Sequence, residues 1–221
     1  QDQQLLDAAW MSLKIAFLTA CMSLVMGMLA SLALVRLGRF RGKMSFAGMI
    51  TAPLVMPEVI TGLSLLLLFV AMEKSFGWPG GRGMLTIWIA HVTFSTAFVT
   101  VILSSRLKEI DRSLEEAGMD LGASPLKVFF VITIPIITPA LLAAWLLAFT
   151  LSLDDLVIAS FVSGPGSTTL PMKVFSSVRL GISPKINALA SIIIALVSLG
   201  VLTAGWIVRG WERKKNLGIS Q

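Results

Sequence analysis

The stretch EEAGMDLGASPLKVFFVITIP, residues 115–135, interrupts a chain that is otherwise strongly apolar. Its first third is acidic, and Gly122 follows at a place that suits a helix C′ position, where a positive φ is needed. Ser124 followed by Pro125 is typical of an N-cap and a first-turn proline. The stretch therefore predicts a helix, a tight turn and a second helix.

The composition around this stretch is that of a membrane protein. The 221 residues are 56% hydrophobic and 14% charged, with a mean hydropathy of +0.87, whereas soluble domains carry about a quarter charged residues. Runs without any Asp, Glu, Lys or Arg cover residues 15–35, 84–105, 128–153 and 188–208. Each is long enough to cross a bilayer, which takes about 20 apolar residues.

A further apolar segment, residues 44–72, contains Pro53, Pro57 and Glu58, and the two prolines are expected to break its helix near Glu58. The expected fold is an all-α integral membrane protein: a polytopic helical bundle forming a single transmembrane domain, 1–221. About five spans are predicted, at residues 10–35, 44–72, 84–105, 136–156 and 187–208, with a cytoplasmic segment at 106–135.

The net charge of +6 is a topology signal and not a nucleic-acid footprint. If the basic turn at 36–43 is cytoplasmic, twelve Lys and Arg fall on the cytoplasmic side and six on the other, as the positive-inside rule requires. This places the start of the chain on the outer side of the membrane and the C-terminus in the cytoplasm. Because the first residue is Gln1, a further N-terminal span is expected upstream.

Residues 106–121 show apolar positions at spacings of three and four, which predicts one amphipathic helix at the cytoplasmic surface. An interfacial helix on lipid headgroups is one alternative, but such helices favour Lys and Arg, and here acids outnumber bases. An apolar stripe rimmed by mixed charge favours docking into a groove of a protein partner.

The same residues carry a resemblance to a known family. Permease subunits of ABC importers have a cytoplasmic motif of EAA, three residues, Gly, nine residues and I-x-LP. This chain is similar from Glu116 and Ala117 through Gly122 to Ile132 and Pro135, with Gly118 in place of Ala and Ile134 in place of Leu. TAPLVMPEVITG (51–62) and LSLDDLVIASFVSGPGSTTLP (151–171) resemble the spermidine/putrescine branch, above all the second permease subunit of putrescine importers.

The resemblance implies a six-span, ATP-driven importer subunit for polyamines (putrescine, spermidine or both) in the bacterial inner membrane, in contact with lipid. It also implies a heterodimer with a homologous permease, an ABC ATPase dimer and a periplasmic polyamine-binding protein. The motif helix would be the coupling helix held in a cleft of the ATPase. The residues expected to couple to the ATPase are Leu114, Glu115, Glu116, Ala117, Gly118, Asp120, Leu121, Gly122 and Ala123.

No catalytic, cofactor or metal site is expected in this chain. A P-loop needs G-x-x-x-x-G-K-[ST], but the only Gly-Lys pair, Gly42-Lys43, is followed by Met44 and has Leu37 at the first glycine position. The single His91 leaves too few ligands for a histidine-rich metal site and is expected to make a hydrogen bond within the bundle. ATP and Mg²⁺ are therefore expected on the partner ATPase.

Three acids lie within apolar segments, where a charge is costly and often functional: Glu58, Asp154 and Asp155. Adjacent carboxylates repel each other unless a cation relieves them, as an elongated diamine would. These three are the candidate substrate path. The alternatives are that one aspartate caps the helix that follows, and that Glu58 belongs to the N-terminus of a restarted helix.

Two further matters stay open in the sequence. The segment SGPGSTTLP (163–171) is either an outer gate or a plain outer loop. An ATP-independent channel or secondary carrier for cationic amines would use the same acids without the geometry of 115–135, and a membrane scaffold would need neither.

Overall fold

A computed structural model describes residues 2–38, 40–180, 191–192, 194–203 and 206. Its helices are α1 (Asp2–Val35), α2 (Lys43–Val55), α3 (Glu58–Phe76), α4 (Met84–Glu109), α5 (Arg112–Asp120), α6 (Pro125–Val128), a π-helical turn (Phe129–Thr133), α7 (Ile134–Asp154), α8 (Val157–Val162) and α9 (Leu170–Leu180). The chain divides into two compact units, Gln1–Lys173 and Val174–Gln221.

The core of the first unit is formed by α1, α4 and α7. Ala20, Val99, Leu103, Ile137 and Ala144 are fully buried in one cluster at their contact. Helix α1 approaches α4 closely at Gly27, where an added Cβ would collide with Val99. Small residues at such crossings are typical of membrane bundles, in which van der Waals packing drives helix association.

A second cluster joins α1, α3, the start of α4 and α8 through buried residues that include Phe69, Ile87 and Ile158. The Thr86 hydroxyl donates a hydrogen bond of 2.7 Å to the carbonyl of Val162, so the start of α4 lies beside the end of α8. The loop 77–83 joins the end of α3 to the same place. Helices α3 and α8 therefore run in the same direction.

Among the described residues, four helical stretches are long and apolar enough to cross a membrane: Gln3–Val35, Glu58–Phe76, Met84–Glu109 and Pro125–Asp154. They confirm the all-helical membrane class. The predicted span 187–208 lies partly outside the described residues; the described part includes the apolar helix Ile194–Thr203.

The predicted break near Glu58 is confirmed at Pro57, and it divides the predicted span 44–72 into α2 and α3. The break expected at Pro53 is wrong, because Pro53 lies within α2. Met56 is extended, with φ −80° and ψ 136°, and Pro57 precedes the first residue of α3. A residue before proline avoids the α region because of the steric clash with the proline Cδ. The span continues to Phe76, four residues beyond the predicted end.

The single helix predicted for residues 106–121 is wrong. Helix α4 continues to Glu109, Ile110 is extended, and α5 begins at Arg112. The reason is packing: Leu107 and Ile110 are 0% and 7% exposed in the α1–α4–α7 core and do not belong to a surface stripe.

The residues predicted for the fourth span, 136–156, fall largely within a longer helical stretch. Helical structure is continuous from Pro125 to Asp154, a stretch of 30 residues, or about 45 Å at 1.5 Å per residue. Pro139 lies within α7. Likewise α1 begins at Asp2, eight residues before the predicted start at 10.

Candidate functional site: the coupling hairpin and the broken helices

The tight turn of the helix–turn–helix predicted for residues 115–135 is confirmed. Gly122 has φ +84°, and its amide donates to the carbonyl of Met119 at 2.8 Å, while the amide of Ala123 donates to that of Gly118 at 3.1 Å. The Ser124 hydroxyl accepts from the amide of Lys127 at 3.4 Å, with Pro125 in the first turn of α6. We call α5, this turn and α6 the coupling hairpin.

Helix α5 begins at a capping aspartate that the sequence reading did not identify as a cap. The Asp111 carboxylate accepts from the amide of Ser113 at 3.0 Å. This backbone hydrogen bond, with a further one to the Ser113 side chain, lowers the pKa of Asp111 below its usual value, against a smaller effect of burial. The signal available in the sequence was an Asp at the start of a helical segment, which is a common N-cap.

Gly118, which replaces the second Ala of the family motif, packs inside the hairpin. An added Cβ would lie 2.7 Å from Cδ1 of Ile132 and 3.2 Å from Cγ2 of Val128. Gly118 therefore allows α5 to approach the helix that follows the turn. Gly118 is among the residues expected at the interface with the ATPase, but the contacts seen in the structure are with Ile132 and Val128 of the same chain.

The opposite face of the coupling hairpin is exposed and mixed in character. Glu116, Ala117 and Asp120 are exposed on α5. Leu121 is 90% exposed and Leu126 is 73% exposed. Apolar side chains this open beside carboxylates form a surface suited to a protein partner.

Glu115 differs from its neighbour Glu116 because it points back into the bundle. Its Oε1 lies 3.1 Å from Nη2 of Arg36 and accepts a hydrogen bond of 2.9 Å from the Thr133 hydroxyl. Arg36 and Thr133 were not among the predicted site residues, since their role depends on contacts between distant parts of the chain.

A cleft of about 840 Å³ lies between the second half of α1 and the coupling hairpin. Its walls are mostly apolar, with side chains such as Leu29, Leu32, Phe130 and Leu141. Arg36, Arg112, Glu115 and Glu116 line its polar part. The cleft leaves the hairpin attached to α1 chiefly through polar contacts.

The two adjacent aspartates, Asp154 and Asp155, have different surroundings in the structure. Asp155 lies in the break between α7 and α8, and its Oδ1 accepts from the amide of Ala159 at 2.8 Å. The same oxygen is 3.2 Å from Nε2 of His91, although this approach lacks the alignment of a hydrogen bond. Nδ1 of His91 is 2.7 Å from the Ser152 hydroxyl. Asp155 thus has the capping role that the sequence left open, and His91 bonds within the bundle as expected.

Asp154, in contrast, is exposed, and so is Glu58 in the first turn of α3. Gly62 packs against α8, where an added Cβ would lie 3.3 Å from Cα of Ile158. Glu58 precedes Gly62 by four residues, and Asp154 precedes Ile158 by four. Glu58 therefore lies one helical turn before the contact of α3 with α8, and Asp154 ends α7 just before the break that precedes α8.

The segment SGPGSTTLP packs against neighbouring elements. An added Cβ on Gly164 would collide with the backbone carbonyl of Arg82 in the loop 77–83. The amide of Leu170 donates to the Ser12 hydroxyl of α1 at 2.7 Å. The segment therefore connects the start of α1 with the loop that precedes α4. In the described ranges, no group of three or more His, Cys, Asp or Glu is placed to hold a metal ion.

Comparison with known proteins identifies the class. Residues 23–216 match the family described as "Binding-protein-dependent transport system inner membrane component", and the chain belongs to this family of ABC-importer permeases. Solved structures show the same fold: a chain of the MetNI methionine ABC transporter has a TM-score of 0.74 at 17% identity, covering 93% of this chain and 95% of that one. A bacterial ABC transporter for alginate gives 0.73 at 17% identity, with coverages of 95% and 80%.

Relatives with higher sequence identity than the solved structures are permeases for polyamines. The putrescine transport system permease protein PotI of Escherichia coli K12 is 62% identical over 97% of this chain and 76% of its own length. The spermidine/putrescine permease protein PotC of Haemophilus influenzae is 40% identical over 97% and 79%, and PotC of E. coli K12 is 39% identical over 98% and 79%. This chain is therefore a multi-pass permease subunit closely related to polyamine permeases.

Proposed function

We propose that this chain forms half of the translocation path of an ATP-driven importer of polyamines, putrescine or spermidine. The observation that carries the proposal is the 62% identity to a putrescine permease over nearly the whole chain. The match covers 97% of this chain, so it spans the region of the coupling hairpin and both broken helices, which are the parts proposed here for coupling and transport.

The partners proposed are a homologous permease, an ABC ATPase dimer and a periplasmic polyamine-binding protein. The exposed face of the coupling hairpin, with Leu121 and Leu126 beside Glu116 and Asp120, supports docking to the ATPase. ATP and Mg²⁺ would bind to that ATPase, and this chain would hold no cofactor. The positive-inside distribution supports a cytoplasmic C-terminus and a periplasmic start of this chain.

For the substrate path, Asp154 and Glu58 are the stronger candidates. Both residues are exposed, and each lies at the break of a helix. Irregular backbone within a membrane is tolerated where it lines a cavity or is buried in protein. A diamine carries two ammonium groups, so carboxylates on two different helices suit its length and charge. Asp155 would support the path indirectly, because its carboxylate already caps α8 by accepting from the amide of Ala159.

The test is purification of the full chain with its genetic neighbours, followed by uptake in proteoliposomes with labelled putrescine, spermidine and a neutral amino acid. The expected result is an ATPase subunit bound in stoichiometric amount, with polyamine uptake that requires ATP. Uptake of amines without ATP by a preparation lacking an ATPase would favour the channel or carrier and overturn the proposal. Uptake of the neutral solute alone would overturn the substrate class.

A further inference from the structure

Glu115 is the acceptor at a junction of three segments. Its Oε1 accepts from Nη2 of Arg36, directly after α1, and from the hydroxyl of Thr133, at the end of the π-helical turn that leads into α7. Thr133 is 2% exposed, and the Arg36 and Glu115 side chains are each 17% exposed. One carboxylate oxygen thus connects α5 with the ends of two membrane spans.

A second contact strengthens the connection to α1. Nη2 of Arg112 donates to the carbonyl of Val35 at 2.8 Å. Val35 is the last residue of α1, whose final carbonyls lack partners within the helix, and a cation is favourable there. Helix α5 therefore contacts the end of α1 from two of its own residues, Arg112 and Glu115.

These contacts reach the elements that form the core. Helices α1 and α7 pack together with α4 in the main buried cluster, so a displacement of their cytoplasmic ends is passed along rigid helices. Hydrogen bonds to a carboxylate are stronger than neutral ones, and partial burial protects them from screening by salt. The π-helical turn is a point where the helix departs from regular α geometry, and such turns are frequent at functional sites.

We propose that Glu115 is a positioning residue that carries the displacement of the coupling hairpin to α1 and α7 through Arg36 and Thr133. The neighbouring Glu116, which belongs to the family motif, is exposed. The two adjacent glutamates thus have separate tasks: one contacts the spans and the other contacts the ATPase. This inference rests on the proposed coupling function.

The test uses the assembled transporter in proteoliposomes, with both permeases, the ATPase and the binding protein. Putrescine uptake and ATP hydrolysis are measured together for Glu115→Gln, Thr133→Val and Thr133→Ser. The ratio of uptake to hydrolysis is expected to fall about tenfold in Glu115→Gln and Thr133→Val. It is expected to stay near the wild-type value in Thr133→Ser, which keeps the hydroxyl. ATPase binding to the complex is expected to remain unchanged in all three.

The matched control is Glu109→Gln. Glu109 forms an ion pair of 2.7 Å with Arg106, but both side chains are exposed and both belong to α4. Loss of this pair is expected to leave the ratio unchanged.

Wild-type coupling in Glu115→Gln would overturn the inference while leaving the proposed function intact, since the wild type still imports putrescine. If Glu115→Gln does not assemble, the inference is tested by the two Thr133 variants. Equal ratios of uptake to ATP hydrolysis in Thr133→Val and Thr133→Ser would overturn it. Failure of the wild-type complex to import putrescine would instead overturn the proposed function.

Discussion

Nε2 of His91 lies 3.2 Å from Oδ1 of Asp155, although the two residues are far apart in the chain. Both side chains are almost fully buried, at 2% and 7% exposure. The other ring nitrogen of His91 is 2.7 Å from the Ser152 hydroxyl. A single imidazole on α4 therefore contacts both the last turn of α7 and the residue in the break that caps α8. The break is held by side chains because its backbone leaves the helical hydrogen-bond pattern.

The first prediction concerns this contact. His91→Leu is expected to lower the free energy of unfolding by about 2–3 kcal/mol, because it leaves the buried Ser152 hydroxyl without its partner and replaces the imidazole beside the buried Asp155 carboxylate with an apolar side chain. Adding Asp155→Asn is expected to restore part of the loss, since Asn removes the charge and still caps α8. Denaturant unfolding in detergent measures both effects.

Thr93→Val is the matched control for His91→Leu. Thr93 lies on the same helix, is exposed, and its hydroxyl bonds only to the carbonyl of Ile89 in its own helix. Its replacement is expected to change stability little.

Additive losses in the double variant His91→Leu, Asp155→Asn would contradict a direct interaction between His91 and Asp155.

The second prediction separates the two aspartates. Asp154→Asn is expected to raise the KM for putrescine about tenfold while the amount of folded protein is unchanged, because the exposed carboxylate has no capping role. Asp155→Ala is expected to reduce the amount of folded protein, because the amide of Ala159 loses its acceptor. Uptake kinetics and size-exclusion chromatography distinguish these outcomes. Unchanged kinetics in Asp154→Asn would remove that residue from the substrate path.

The third prediction concerns the turn of the coupling hairpin. Gly122 has a left-handed backbone, with φ +84°, and no atom within 4 Å of an added Cβ. Gly122→Val is therefore expected to act through backbone strain of about 1–2 kcal/mol, and to lower the ratio of uptake to ATP hydrolysis. Gly122→Asn is expected to keep most of the ratio, since Asn tolerates this conformation.

Gly48→Val serves as the control for backbone strain. Gly48 also has open space around its Cβ position, but it lies within α2 and has no positive φ. An equal loss of coupling in both Val variants would show that side-chain size and not the turn geometry is responsible.

The fourth prediction is a pH dependence of α5. The pKa of Asp111 is lowered in the folded protein by its hydrogen bonds to Ser113, so the ionised carboxylate is the capping form. Its stabilising contribution is fully present above the unfolded pKa of about 4 and is lost as the pH falls through the lower, folded pKa. The protection factors of the α5 amides, which compare observed exchange with the intrinsic exchange at the same pH, are expected to fall across this acidic range.

Asp111→Asn is the control for this titration, because Asn caps a helix about as well as Asp and does not ionise. Exchange in α5 of this variant is expected to keep its protection and to lose the Asp111-dependent acidic step. The same acidic step in both proteins would assign it to another group.

The features predictable from the sequence depend on residues close together in the chain. Gly122, Ser124 and Pro125 determine the turn through backbone geometry and capping within four residues. Pro57 breaks its helix by a local clash. The membrane class follows from long uncharged runs, which only a lipid-facing bundle accommodates. Each of these results is confirmed in the described residues.

The errors arose where one local pattern allowed two structures. Leu107 and Ile110 are in helical phase with Leu114, so periodicity alone predicts a single surface helix. Packing decided otherwise: Leu107 and Ile110 are buried against α1 and α7, and the chain turns at Asp111, which caps a new helix. A side chain is assigned to the core or to the surface by its neighbours, which periodicity does not name.

By itself, then, the sequence determined that this chain crosses a membrane as helices and exposes a capped, glycine-bent hairpin, because hydropathy, caps and positive φ act over a few residues. In two places, at Glu115–Glu116 and at Asp154–Asp155, two acids are adjacent. Only the tertiary structure decided which acid of each pair contacts the bundle and which one remains exposed. Glu115 contacts Arg36, 79 positions away, and Asp155 contacts His91, whereas Glu116 and Asp154 remain exposed. The physical reason is that neighbouring residues on a helix point in different directions, and the partner each one meets depends on how distant helices pack.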